Sequence, residues 1–82
     1  MKAKNLSPTF QKNLRAIREA KQISQAVLAQ KAGSVPKTIS ELENGHTSPT
    51  LKMIERLAAA LDVDSDVLLT EDGADIFLSA TA

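Results

Sequence analysis

The sequence predicts an all-α fold of five short helices joined by tight links and followed by a short C-terminal tail. Three observations carry that expectation. Apolar residues recur at spacings of three and four through most of the first 70 positions. Ser-Pro pairs and single glycines punctuate the pattern at the intervals a small helical domain needs. No stretch before residue 74 alternates apolar with polar residues, and β-branched runs are few, so no strand competes.

Ser7 followed by Pro8 reads as an N-cap with Pro in the first turn, where its missing amide hydrogen has no helical partner to lose. Phe10, Leu14 and Ile17 then line one side of a first helix that ends near Lys21. Ser24 caps a short second helix, with Val27, Leu28 and Ala32 on one side and Gly33 as its stop. After a link through Ser34 and Val35, Pro36 opens a third helix. Its Ile39 and Leu42 face inward, and Asn44-Gly45 ends it. Beyond the loop at His46 and Thr47, Ser48-Pro49 repeats the cap-then-Pro device. Leu51, Ile54, Leu57, Ala58 and Leu61 form the apolar face of a fourth helix. Asp64 or Ser65 caps a last short helix through Val67, Leu68 and Leu69. The folded domain is thus expected over residues 7–70. Residues 71–82 form a weakly patterned tail whose Ile76-Phe77-Leu78 cluster makes it a candidate dimerisation element, by an added helix or an exchanged strand; the alternative is a partly disordered end.

With 82 residues the chain holds one domain and one modest core, burying roughly 60–65% of its unfolded surface. It has no Cys, which removes disulfides and thiolate metal sites. The longest apolar run, Leu57 to Leu61, is far short of the ~20 residues of a membrane span, and no apolar targeting segment opens the chain. A cytoplasmic protein with no membrane partner is expected. Ten basic and ten acidic residues give zero net charge, which at first argues against a polyanionic partner. The distribution reverses that inference. Residues 1–56 hold all ten positive charges and four acids, a net of +6, while residues 57–82 hold six acids and no base.

Two short helices joined by a Gly-containing turn make a helix-turn-helix candidate from helices two and three. The stretch SQAVLAQKAGSVPKTISELENG, Ser24 to Gly45, resembles the helix-turn-helix of the lambda and 434 phage repressor and Cro proteins, the Xre family. The shared features are Gln25 opening the second helix, Leu28-Ala29 at its centre, Gly33 in the turn, Ile39 and Leu42 in the third helix, and the LENG ending. The likeness extends through SPTLKMIERLAAALDVDSDVLL and covers about residues 7–70.

The resemblance implies a compact lambda-repressor-like domain whose third helix enters the major groove. Pro36, Lys37, Thr38, Ser40 and Glu41 are then the candidate base-contacting face. Lys37 suits guanine O6 and N7, the Thr38 methyl suits thymine, and Glu41 suits cytosine N4. Ser24 and Gln25 at one helix start, and Asn44, Gly45 and Thr47 after the third helix, are implied phosphate contacts, with Lys52 as a further one. The resemblance also implies a structural ion pair between Arg18 and Glu43, whereas Lys12, Arg15 and Lys21 read as a solvated face.

Other chemistries find no support. His46 is the sole His and has no Cys for a metal site or nucleophilic triad. Asp62, Asp64 and Asp66 imitate the start of a calcium loop, but Val67 and Gly73 stand where its Gly and closing Glu belong. No phosphate-binding glycine loop is present, so neither an enzyme nor a cofactor or metal is expected. The expected function is sequence-specific DNA binding by a homodimeric transcriptional regulator, a repressor in mode, on a pseudo-palindromic operator. The alternative is a protein-interaction module or antitoxin-type partner with weak DNA binding, which Pro36 and Glu41 on the reading face keep open.

Overall fold

A computed structural model describes residues 7–81, which form six α-helices. They are α1 (Ser7–Ala20), α2 (Gln25–Ala32), α3 (Pro36–Asn44), α4 (Leu51–Leu61), α5 (Ser65–Leu69) and α6 (Gly73–Thr81). No strand occurs among the described residues. The core is one cluster, drawn from every helix. Phe10, Leu14 and Ile17 meet Leu28, Ala29, Ile39, Leu42, Leu57, Leu61 and Leu68, with Ala74 closing it from α6. Helix α2 packs on α3 and α4, while α1 runs along α3, α5 and α6.

The helix ends explain the sharp links. The Ser24 hydroxyl accepts the Val27 amide at 3.0 Å. Gly33, at φ 69°, turns the chain so that its own N–H and that of Ser34 return to Gln30 and Ala29 carbonyls. Gly45, at φ 77°, stops α3 in the same left-handed conformation, and the His46 amide closes on the Glu41 carbonyl at 2.9 Å. Asp62 stops α4 at φ 58°, a conformation more costly for a residue that carries a Cβ.

Several sequence expectations need correction. Thr50, not Ser48, caps α4: its hydroxyl accepts the Met53 amide at 3.1 Å, and Ser48-Pro49 stay in the loop. Pro49 favours an extended residue before it and is followed by a competent cap of its own, so the helix starts later. Helix α1 takes in Ser7, and the capping role expected of that side chain lies outside the described residues. Val27 is 39% exposed, because the inner stripe of α2 is Leu28, Ala29 and Ala32, about one residue further round. Leu51, in the first turn of α4, is 69% exposed and does not share the inner face of Ile54, Leu57, Ala58 and Leu61. Asp64 occupies the cap position of α5 without a side-chain bond.

The largest difference is the tail. Residues 73–81 form a sixth helix packed on α1 and α5, with Ala74 buried and Phe77 half-buried. Asn13 makes that possible. It is fully buried on α1, its amide donates to the carbonyls of Leu68 (3.1 Å) and Thr70 (2.7 Å), and its carbonyl accepts the Ala74 amide at 3.2 Å. One side chain thus bonds both the end of α5 and the start of α6, and the Thr70 carbonyl also accepts the Gly73 amide at 3.0 Å. Gly73 presses against the Val67 carbonyl, leaving no space for a Cβ. At the surface, Lys12 Nζ donates to the Glu71 carbonyl at 3.0 Å, and Lys21 Nζ lies 5.5 Å from the centre of the Phe77 ring.

Candidate nucleic-acid interface

Helix α3 is two-sided because its apolar residues are three apart. Ile39 and Leu42 are buried with Glu43 on the inner side. Pro36 and Lys37 are exposed on the other, and Thr38, Ser40 and Glu41 are half-buried. The side chains of Lys37, Thr38 and Glu41 make no hydrogen bond or ion pair with the described residues, so their polar groups are available. Thr38 shares a recess of about 160 Å³ with Leu42, Thr47, Thr50 and Met53, which places α3 beside the loop that follows it.

The inner side of α3 is held by charge. Glu43 has a fully buried side chain that accepts Arg18 Nε at 2.6 Å and Arg18 Nη2 at 3.1 Å. Arg18 Nη1 also donates to the Ile23 carbonyl at 2.9 Å, so one guanidinium ties α3 to the α1–α2 link. The Gln25 amide donates to Glu43 Oε1 at 3.1 Å, and Arg15 Nε stands 3.5 Å from the same oxygen. Burial opposes the charge on Glu43, but the hydrogen bonds from Arg18 and Gln25, the Arg18 charge and the Arg15 contact outweigh it. Its carboxyl is held below the usual range. Arg18 is held more firmly protonated, first by its hydrogen bond to Glu43.

The residues expected at phosphates fall in three groups. Ser24 caps α2 and is exposed, while Gln25 beside it bonds Glu43. The Asn44 amide donates to Ser40 Oγ at 3.3 Å, and its carbonyl accepts Arg15 Nη2 at 3.3 Å. Gly45, Thr47 and Lys52 are exposed along the loop and the start of α4. The structure therefore brings Gln25, Asn44, Arg15, Arg18 and Glu43 into one polar cluster and leaves Thr47 and Lys52 outside it. Sequence reasoning misses one member, Arg15, and one neighbour, Gln11. Arg15 reads from the sequence as part of a solvated face, although its spacing of three from Arg18 puts both on one side of α1. Gln11, whose amide fills the space beside Gly45, gave no signal in the sequence.

Among the described residues no His, Cys, Asp and Glu gather in a group able to hold a metal ion. No described helix is long and apolar enough to cross a membrane.

A short capped helix, a left-handed glycine turn and a second helix pinned from behind with its outer face free define a helix-turn-helix DNA-binding transcriptional regulator. The chain belongs to the helix-turn-helix family HTH_3, whose profile matches residues 14–68. It is similar to the c2 repressor of P22, solved in complex with a synthetic operator, at 32% identity and a TM-score of 0.71 over 77% of this chain and 96% of that one. A transcription factor from Neisseria, described as hypothetical, superposes with a TM-score of 0.80 at 29% identity, over 95% of both chains. The clp gene regulator ClgR of C. glutamicum shares the fold, with a TM-score of 0.76 over 93% of this chain and 96% of that one, at 22% identity. No curated protein gives a significant match.

Proposed function

We propose that two copies of the chain repress transcription by binding a pseudo-palindromic operator, with one α3 in each of two successive major grooves about 34 Å apart. The observation that supports this most is the division of α3 into a buried, ion-paired side and an outer side whose Lys37, Thr38 and Glu41 make no side-chain hydrogen bond or ion pair with the described residues. Lys37 would read guanine, Thr38 a thymine methyl or a phosphate, and Glu41 cytosine, with Pro36 and Ser40 beside them. Ser24, Gln25, Asn44, Gly45, Thr47 and Lys52 would set the register on phosphates. Gln25 reaches its phosphate either through its backbone amide or by exchanging its bond to Glu43. Arg18 and Glu43 hold the reading helix and stay off the DNA.

Pairing of copies doubles a readout that one short helix restricts to a few base pairs. The acidic α4–α6 half, where the described residues after Arg56 carry no base, is the natural side for a protein contact in the cytoplasm, since it repels the duplex. Selection of bound sequences from a random duplex pool tests the proposal: a two-fold symmetric motif with half-sites one turn apart is expected. Recovery of no motif, with binding insensitive to salt between ~50 and ~200 mM, would point instead to a protein-interaction module.

A further inference from the structure

A cleft of about 390 Å³ opens where the end of α4, the link to α5 and helix α6 meet, lined by Ala59, Asp62, Val63, Asp64, Val67 and Phe77. Val63, Val67 and Phe77 are only half-buried there, and Ile76, next to Phe77 on α6, is 60% exposed. Both carboxylates are exposed, and neither forms a hydrogen bond or ion pair with the described residues. Phe77 already meets a cation, since Lys21 Nζ lies 5.5 Å from the ring centre. Two carboxylates against that one ammonium leave the cleft negative. Its α6 wall lies beyond the residues 14–68 matched by the family profile.

Charge decides what fits. Residues 57–82 hold six acids and no base. In a two-fold pair the same surface serves both copies, so the cleft would face acids of its own kind with no base to offset them. Docking it on the basic α1–α3 part of another copy would make a head-to-tail contact that builds open chains. A basic segment of a different protein meets neither obstacle. We infer that this cleft docks a basic amphipathic segment of a partner protein, with an apolar side chain against Val63, Val67 and Phe77 and Lys or Arg groups on Asp62 and Asp64. None of the lining residues belongs to α2 or α3, so the occupant sits on helices other than those proposed to meet DNA. The inference goes beyond the operator reading and does not depend on it.

The probe is a labelled helical peptide of about 15 residues, Leu on one face and Arg on the other, titrated against the full chain by fluorescence anisotropy. Its counterpart carries Glu for every Arg. The Arg peptide should bind, more weakly as salt rises from ~50 to ~200 mM, and the Glu peptide should not. Asp62→Asn/Asp64→Asn should lose about fivefold in affinity. Asn suits both the left-handed backbone at position 62 and the cap position of α5, so this variant folds. Asp72→Asn/Asp75→Asn removes the same charge outside the lining and should lose less than about twofold. The methyl resonances of Val63 and Val67 should shift as the Arg peptide binds.

Equal losses in the two variants would mean attraction to the acidic half as a whole and overturn the inference. So would valine resonances that stay in place, or an Arg peptide that does not bind. If the Arg peptide splits a pair of copies in sedimentation, the cleft belongs to a second copy and the inference falls. The duplex selection decides the operator reading separately.

Discussion

Arg18 grips both oxygens of the Glu43 carboxylate, through Nε at 2.6 Å and Nη2 at 3.1 Å, and Glu43 has no exposed side-chain surface. The pair joins α1 to α3. Arg18→Ala would leave a buried carboxylate facing only Gln25 and the more distant Arg15, at a cost of about 3–5 kcal/mol. Urea unfolding measures it. The double variant Arg18→Ala/Glu43→Gln should recover part of the loss, because it leaves no buried charge; equal loss in both would show that the packing of Arg18, not its charge, holds α3.

Acid should loosen the same joint. Glu43 is held below its ordinary pKa, so its contribution is complete above the unfolded value of about 4.3 and disappears as the pH falls through the folded value. Arg18 remains charged throughout. The unfolding midpoint of the wild-type chain should therefore drop more steeply below about pH 4 than that of Glu43→Gln, as thermal melts in a pH series would show.

Asn13 predicts a local effect at the other end of the molecule. Asn13→Ala deprives the Leu68 and Thr70 carbonyls and the Ala74 amide of their shared partner, costing about 2–4 kcal/mol. Amide exchange should accelerate first in α6, with α2 and α3 protected longer. Gly73→Ala should release the same helix by a different route, through collision with the Val67 carbonyl.

Gln22 sits at φ 59° in the link after α1, where a side chain is penalised. Gln22→Gly should stabilise the chain by about 0.5–1 kcal/mol, the left-handed relief exceeding the added freedom of the unfolded glycine. The measurement is the denaturation midpoint, with duplex affinity unchanged.

On DNA, Lys37→Ala and Glu41→Ala should alter which base is preferred at one operator position. Lys52→Ala should weaken binding to all sequences alike and reduce the salt slope by about one. Binding titrations on single-base operator variants separate the two behaviours.

How much of this was legible in the sequence depended on whether its cause was local. Helices α1 to α5 announce themselves through apolar spacing and glycine stops, and Gly33 and Gly45 mark turns because φ near 70° is a backbone requirement. The α4 cap lies two residues later than the sequence suggests because Ser48 and Thr50 are both competent, and Thr50 takes the role with extended backbone and a bond to Met53. Helix α6 was less visible: its order comes from Asn13, 61 positions before Ala74. A clue existed, since Asn13 lies among Phe10, Leu14 and Ile17 on the apolar side of α1, where a polar residue must find partners. The link from Gln25 to Glu43 had no such clue, because a polar residue opening a helix has an adequate local explanation as a surface contact.

In α3, the atoms that fasten the helix and those offered to a partner sit on opposite sides of nine residues. The polar groups of Lys37, Thr38 and Glu41 make no hydrogen bond or ion pair with the described residues, whereas Ile39, Leu42 and Glu43 are buried. Mutational drift in target preference therefore carries little penalty in folding. If the proposed reading face is right, a lineage using this scaffold would acquire a new regulon by changing three or four codons, without rebuilding the core.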